Sequence, residues 1–145
     1  METVDLKVSA AALLGGCPDE YVWVGKALVH ESVVILEDVT LGTGVIIGPF
    51  CKIPAFVAIG DATVLHDNVV LSTLAEVGER CILFSGVMLG VNCKVGDDVR
   101  MHVQSHLAAG GKIGNRCEIG PHVALVGSNV KDDTSITWAG KVTRL

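Results

Sequence analysis

Ile59-Gly60-Asp61-Ala62-Thr63-Val64-Leu65-His66-Asp67-Asn68-Val69-Val70-Leu71 carries a large aliphatic residue at every sixth position, and Thr63 and Val69 follow their aliphatics by four. A six-residue step matches neither the 3.6-residue period of a helix nor the two-residue alternation of an ordinary strand. It suits a coil built of short sides, each turning one large and one small side chain inward. Extended both ways, the large positions run Val29, Ile35, Leu41, Ile47, Ile53, Ile59, Leu65, Leu71, Val77, Leu83, Leu89, Val95, Met101, Leu107, Ile113, Ile119 and Leu125. Every one is aliphatic or Met, with no insertion between them.

The second register confirms the first. It holds Val33, Val39, Val45, Cys51, Val57, Thr63, Val69, Ala75, Cys81, Val87, Cys93, Val99, Ser105, Gly111, Cys117 and Val123, all small or β-branched. Three hexads make one triangular coil, so equivalent positions recur every eighteen residues along one edge. The expected fold is all-β: a parallel β-helix of hexapeptide repeats over 23–130, nearly six coils long. Residues 1–22 and 131–145 leave the register and are expected to be short caps, because a bare solenoid end exposes apolar surface and strand edges.

Composition agrees. In 145 residues, half are apolar but only 4% aromatic, so the core must be built from aliphatics and Cys. A net charge of −5 lacks the basic stripe of a nucleic-acid surface. No apolar run reaches the length of a membrane span. Leu14-Gly15-Gly16-Cys17 resembles a lipoprotein cleavage box, but Glu2 and Asp5 precede it beside a very short apolar stretch, and the expected location is cytoplasmic. Cys51, Cys81, Cys93 and Cys117 all fall in the small inward register without a CxxC pair, which predicts buried free thiols. Cys17 lies outside the repeat.

The histidines carry the chemical interest. His30, His66 and His102 are 36 residues apart, and each follows a large inward residue. They therefore share one edge, alternating with Gly48, Phe84 and Gly120, whereas Gly42, Gly60, Gly78, Gly96 and Gly114 occupy another edge. Asp67 and Asn68 follow His66 and could orient its imidazole. Imidazoles in a row on a solenoid edge are candidate general bases, or simply solvated turns.

The repeat resembles the hexapeptide-transferase superfamily, which implies a left-handed parallel β-helix and a homotrimer with sites in clefts between subunits. It also implies a coenzyme A thioester as co-substrate, a small amine or hydroxyl acceptor such as a sugar, and a His base. Ala27-Leu28-Val29-His30, Glu37 and Ile47-Gly48-Pro49-Phe50-Cys51 resemble the opening of the UDP-N-acetylglucosamine acyltransferases. Ser105-His106-Leu107-Ala108-Ala109-Gly110 is similar to their A-H-I-A-H-D stretch; His106 matches the first His, while Ala109 and Gly110 replace the catalytic base and its Asp. The bases that remain are His66, His102 and His106, with Asp67 as an orienting carboxylate. The closing segment through Trp138-Ala139-Gly140-Lys141-Val142 resembles the family's last coil without its Pro-Ala, which makes Lys141 and Arg144 candidate phosphate contacts.

Ile59 to Ser72 also resembles the γ-carbonic anhydrases. Zinc there needs three imidazoles, and the matching positions hold Ser72, Ser85 and Gly90, so no metal is expected. Three readings stay open: an acyltransferase-like protein, a non-catalytic trimeric scaffold, and a γ-carbonic-anhydrase-like protein without its zinc ligands.

Overall fold

The computed structural model describes residues 20–137 and the strand Val142–Arg144. All regular structure in them is β, arranged as a parallel solenoid of three sheets. The nine-stranded sheet contains Ala27–His30, Ile46–Ile47, Val64–Leu65, Ile82–Leu83, Arg100–Met101, Glu118–Ile119 and Thr134–Ile136 in parallel order. A six-stranded sheet runs from Thr40–Leu41 to Asn129–Val130, and a four-stranded one from Val70–Leu71 to Ala124–Leu125. Up to the last coil, partners in each stack are offset by eighteen residues, as Val64↔Ile82 and Ile82↔Arg100 are.

Both inward registers are where the sequence places them. The large residues from Ile47 through Ile119 are buried, as are the small ones from Val39 through Val123. They form one continuous core column from Val24 to Ile136. Because two-residue strands make few bonds each, stability comes from stacking many identical layers, in which each coil supplies the next with partners.

Two different glycine demands shape the corners. The third residue after most large positions has a positive φ, even where it carries a side chain: Asp38, Phe50, Phe56, Ala62, Asn68, Leu74, Arg80, Asn92, Asp98 and Gln104 all do. The glycine directly after the large residue answers a different constraint, close approach: a Cβ on Gly60 would lie 2.7 Å from the backbone of Gly78.

The thiols and hydroxyls of the small register do more than fill space. Cys51 Sγ donates to the His66 carbonyl at 2.9 Å, Cys81 Sγ to Gly96 at 3.0 Å, Cys93 Sγ to Ala108 at 3.1 Å and Cys117 Sγ to Lys131 at 3.0 Å. Each ties one coil to a corner carbonyl of the next. Burial pushes the Cys51 thiol up to about 11 and raises Cys81 and Cys117 as well. All four are free, so the structure has them as buried thiols, and their hydrogen bonding is what the composition did not disclose.

The last coil is one residue shorter. Lys112 pairs with Asn129 and Glu118 with Ser135, a step of seventeen. The missing residue falls between Leu125 and Val130, where Gly127 takes a positive φ. Stacking therefore continues to Ile136 although the sequence period has slipped. Antiparallel partners cover both edges of the nine-stranded sheet, Tyr21–Val24 on Ala27–His30 and Val142–Arg144 on Thr134–Ile136. Most of the expected N-terminal cap, with Cys17, lies outside the described residues.

Candidate functional site

The edge between the nine-stranded and four-stranded sheets is where His30, Gly48, His66, Phe84, His102, Gly120 and Thr137 succeed one another, each directly after an inward residue of the nine-stranded sheet. Solenoid stacking turns that sequence spacing into a column of rings. His66 stacks on Phe84 with centroids 4.9 Å apart, and Phe84 on His102 at 5.1 Å and an interplanar angle of 4°. Phe84 thus has an imidazole on each face. Such offset or stacked aromatic contacts hold ring orientation beyond what area burial alone provides.

The three edge histidines have different partners. His30 is enclosed: Tyr21 meets its ring edge-on at 5.2 Å, and Nδ1 lies 2.7 Å from Ser32 Oγ. His66 is exposed, and its ring nitrogens make no hydrogen bond among the described residues. Beside it, Asp67 Oδ1 accepts from Ser85 Oγ at 2.5 Å and Oδ2 from Asn68 Nδ2 at 3.3 Å. The Ser85 hydroxyl is the main reason the Asp67 carboxyl sits below the usual aspartate range; its own backbone N–H and Asn68 add to this. Ser85 is one coil above Asp67, so the repeat could have paired them from sequence. His102 is half-buried and its Nε2 lies 2.8 Å from Glu118 Oε1. Glu118 stands sixteen residues on, across the diagonal of the stack, and the sequence reading missed it.

His106 is apart from this column. It points outward from the four-stranded sheet into a shallow depression of about 490 Å³ lined also by Asn68, Gln104 and His122. His122 was not among the expected site residues. Lys141 lies outside the described residues, and Arg144 is placed only as the end of a strand paired with Thr134. Among the described residues no group of three or more His, Cys, Asp or Glu side chains lies together in a way that could hold a metal ion.

Beside the histidine edge each outer face changes along the stack: Ile46, Val64 and Ile82 are followed by Arg100, Glu118 and Ser135 on one side, and Val70 and Met88 by His106 and Ala124 on the other. The third face carries Glu76, Lys94, Lys112 and Asn129. No described helix is long and apolar enough to cross a membrane.

No family model matches the sequence. Over 62 residues, 43% of this chain and 24% of the relative, it is 37% identical to the acyl-[acyl-carrier-protein]–UDP-N-acetylglucosamine O-acyltransferase of Rickettsia canadensis. The enzyme of that name from Mesorhizobium japonicum is 28% identical over 103 residues, 59% of this chain and 37% of the relative. The chain thus spans about a quarter to just over a third of the length of these curated relatives. Serine acetyltransferase isoform 3 of Entamoeba histolytica, solved with cysteine, superposes with a TM-score of 0.55 at 19% identity, over 61% of this chain and 35% of that one, and shares the fold. By its solenoid and by these relatives, the chain is similar to the hexapeptide-repeat acyltransferases.

Proposed function

We propose that this protein is an acyltransferase that moves an acyl group from a coenzyme A thioester to an amine or hydroxyl of a small acceptor such as a sugar, at a cleft of a homotrimer. The observation that carries the proposal is the ordered histidine edge: an exposed imidazole, His66, held by stacking on Phe84 beside a fixed carboxylate, Asp67. The curated relatives, named for acyl transfer to UDP-N-acetylglucosamine, support the reaction class.

His66 is the general base in this reading. It takes the acceptor's proton as the acceptor heteroatom bonds to the thioester carbonyl carbon. Collapse of the tetrahedral intermediate breaks the C–S bond, and the departing thiolate receives the proton back from the imidazolium. Asp67 stabilises that imidazolium by charge, and its ionised state is secured by Ser85. His102, tied to Glu118, and His106, beside His122, are the competing bases. The aliphatic stretches that flank His66, Ile46, Val64 and Ile82 on one face and Val70 and Met88 on the other, are the surfaces that subunits of a trimer would cover, placing His66 in the cleft. Lys141 and Arg144 are proposed to meet the coenzyme phosphates. A cytoplasmic location completes the proposal.

A non-catalytic trimeric scaffold is favoured by one observation: from Val29 to Leu125 the repeat has no extruded loop, and loops usually build an acceptor pocket. Calorimetric titration with coenzyme A and acetyl-CoA, on the wild type, His66→Ala and His102→Ala, decides between the two. Saturable binding, with His66→Ala still binding but not turning over, supports catalysis. Lack of binding at millimolar coenzyme favours the scaffold.

A further inference from the structure

His106 and His122 share the shallow depression of about 490 Å³ outside the four-stranded sheet, and Met88 lines it with them. Met88 is the strand partner of His106, so their backbones stand one coil apart, about 4.8 Å. His106 pairs in turn with Ala124, and His122 precedes Ala124 by two residues. The His122 backbone N–H donates to Val103 O at 3.0 Å, which sets its corner one coil above that of Gln104. Gly86 occupies the same corner one coil below Gln104 and has no side chain, so the depression opens from His122 down toward Asn68.

The groups that meet there carry lone pairs but no fixed charge. Two imidazoles, the Met88 thioether and the side-chain amides of Asn68 and Gln104 line the depression, and none of its described walls is an Asp, Glu, Lys or Arg. Neither imidazole makes a hydrogen bond to another described residue. His106, His122 and Met88 are all exposed, so each can turn toward a common point without disturbing the core. A thioether beside imidazoles is a soft donor set that suits copper(I), whereas magnesium, calcium and manganese take carboxylate, carbonyl and water oxygens. Neutral donors leave the charge of a bound ion uncompensated, which penalises a divalent ion more than a monovalent one.

We infer that Met88, His106 and His122 form a binding site for a soft monovalent metal ion, copper(I), with Gln104 at its rim. The site is separate from Ser72, Ser85 and Gly90, the positions that match a zinc centre. All three donors come from one chain, so the inference rests neither on acyl transfer nor on the trimer. A trimer that covers Met88 would enclose the ion at the subunit boundary.

The test is anaerobic titration of the full chain with copper(I), a diamagnetic ion, followed by NMR of the histidine ring protons and methionine methyl groups. The chain carries Cys17→Ser, because a thiol outside the buried register would compete for copper. The site requires the Met88 methyl and the His106 and His122 ring signals to move together and saturate, while those of His66 and His102 stay in place. Competition with a chromophoric copper(I) chelator should show Met88→Leu and His122→Ala each weakening the affinity at least about tenfold. Both variants alter exposed side chains and should keep the wild-type circular dichroism. Histidine shifts without the methionine, or unchanged affinity in Met88→Leu, would reduce the site to an ordinary imidazole pair and overturn the inference. So would zinc(II) binding there as tightly as copper(I), or unmoved His106 and His122 signals with copper(I) at about 1 mM.

Discussion

Thr63→Val tests the idea that hydroxyls and thiols of the inner register bond one coil to the next. Thr63 is fully buried; its Oγ1 donates to the Gly78 carbonyl at 2.6 Å and accepts the Cys81 N–H at 3.1 Å. The hydroxyl thus lies between two backbone groups that pair directly at equivalent corners, where Ala75 N donates to Ser72 O at 3.1 Å and Gly111 N to Ala108 O at 3.0 Å. Valine fits the space, since Val45, Val57 and Val69 fill the same register. The substitution therefore removes two hydrogen bonds with almost no change of shape. Each buried polar group left unpaired costs about 1–3 kcal/mol, and closure of the corner onto itself would recover part of that. The expected loss is about 2 kcal/mol, or roughly 4–8 °C in Tm for a chain of this size. Urea unfolding followed by far-UV circular dichroism should show a lower midpoint with an unchanged slope. Thr63→Ser keeps the hydroxyl and gives up one methyl, about 0.8 kcal/mol plus a small cavity, so it should remain more stable than Thr63→Val. If Thr63→Val equals the wild type, or exceeds Thr63→Ser, the inter-coil hydrogen bond is not what holds this corner.

Two further expectations follow from the corners and the charges. Gly78→Ala would put a Cβ 2.5 Å from the Gly96 carbonyl oxygen and against the Asp97 side chain, and should cost about 1–3 kcal/mol. Gly110→Ala meets nothing within 4 Å but sits at φ +74, and should cost about 1 kcal/mol from the left-handed conformation alone. Equal melting temperatures for the two variants would contradict that ordering. Arg80, first through its hydrogen bonds, holds the Asp98 carboxyl below the usual aspartate range, as Ser85 does for Asp67. Both depressed carboxylates contribute stability above the unfolded-state value of about 3.9, lost as pH falls through their lower folded values. Asp98→Asn and Asp67→Asn should each flatten the acid limb of a stability–pH curve measured below about pH 5; an unchanged limb would show that these pairs do not discriminate folded from unfolded chain.

The elements of the site differ in how far they could be read from residues. Asp67 and Ser85 are eighteen apart, as are His66 and Phe84, and the repeat alone brings such pairs together. His102 and Glu118 are sixteen apart, because a side chain crossing to the strand above reaches diagonally and its direction depends on rotamer and neighbours. The thiol bonds run fourteen or fifteen residues forward to a corner carbonyl, an offset set by corner shape. His122 joins His106 in one depression through its place in the next coil's corner, which no motif marks.

The solenoid, its two inward registers, its buried cysteines and the shared edge of His30, His66 and His102 were all legible in the order of residues. Those features follow from a periodic pattern, and burying a period-six apolar stripe admits one stacking register. Ring stacking, the Glu118 contact and the seventeen-residue coil at the end belong to the folded molecule. Each depends on distances of a few ångströms between atoms on different coils, and sequence periodicity fixes which coils are adjacent but not how their side chains meet.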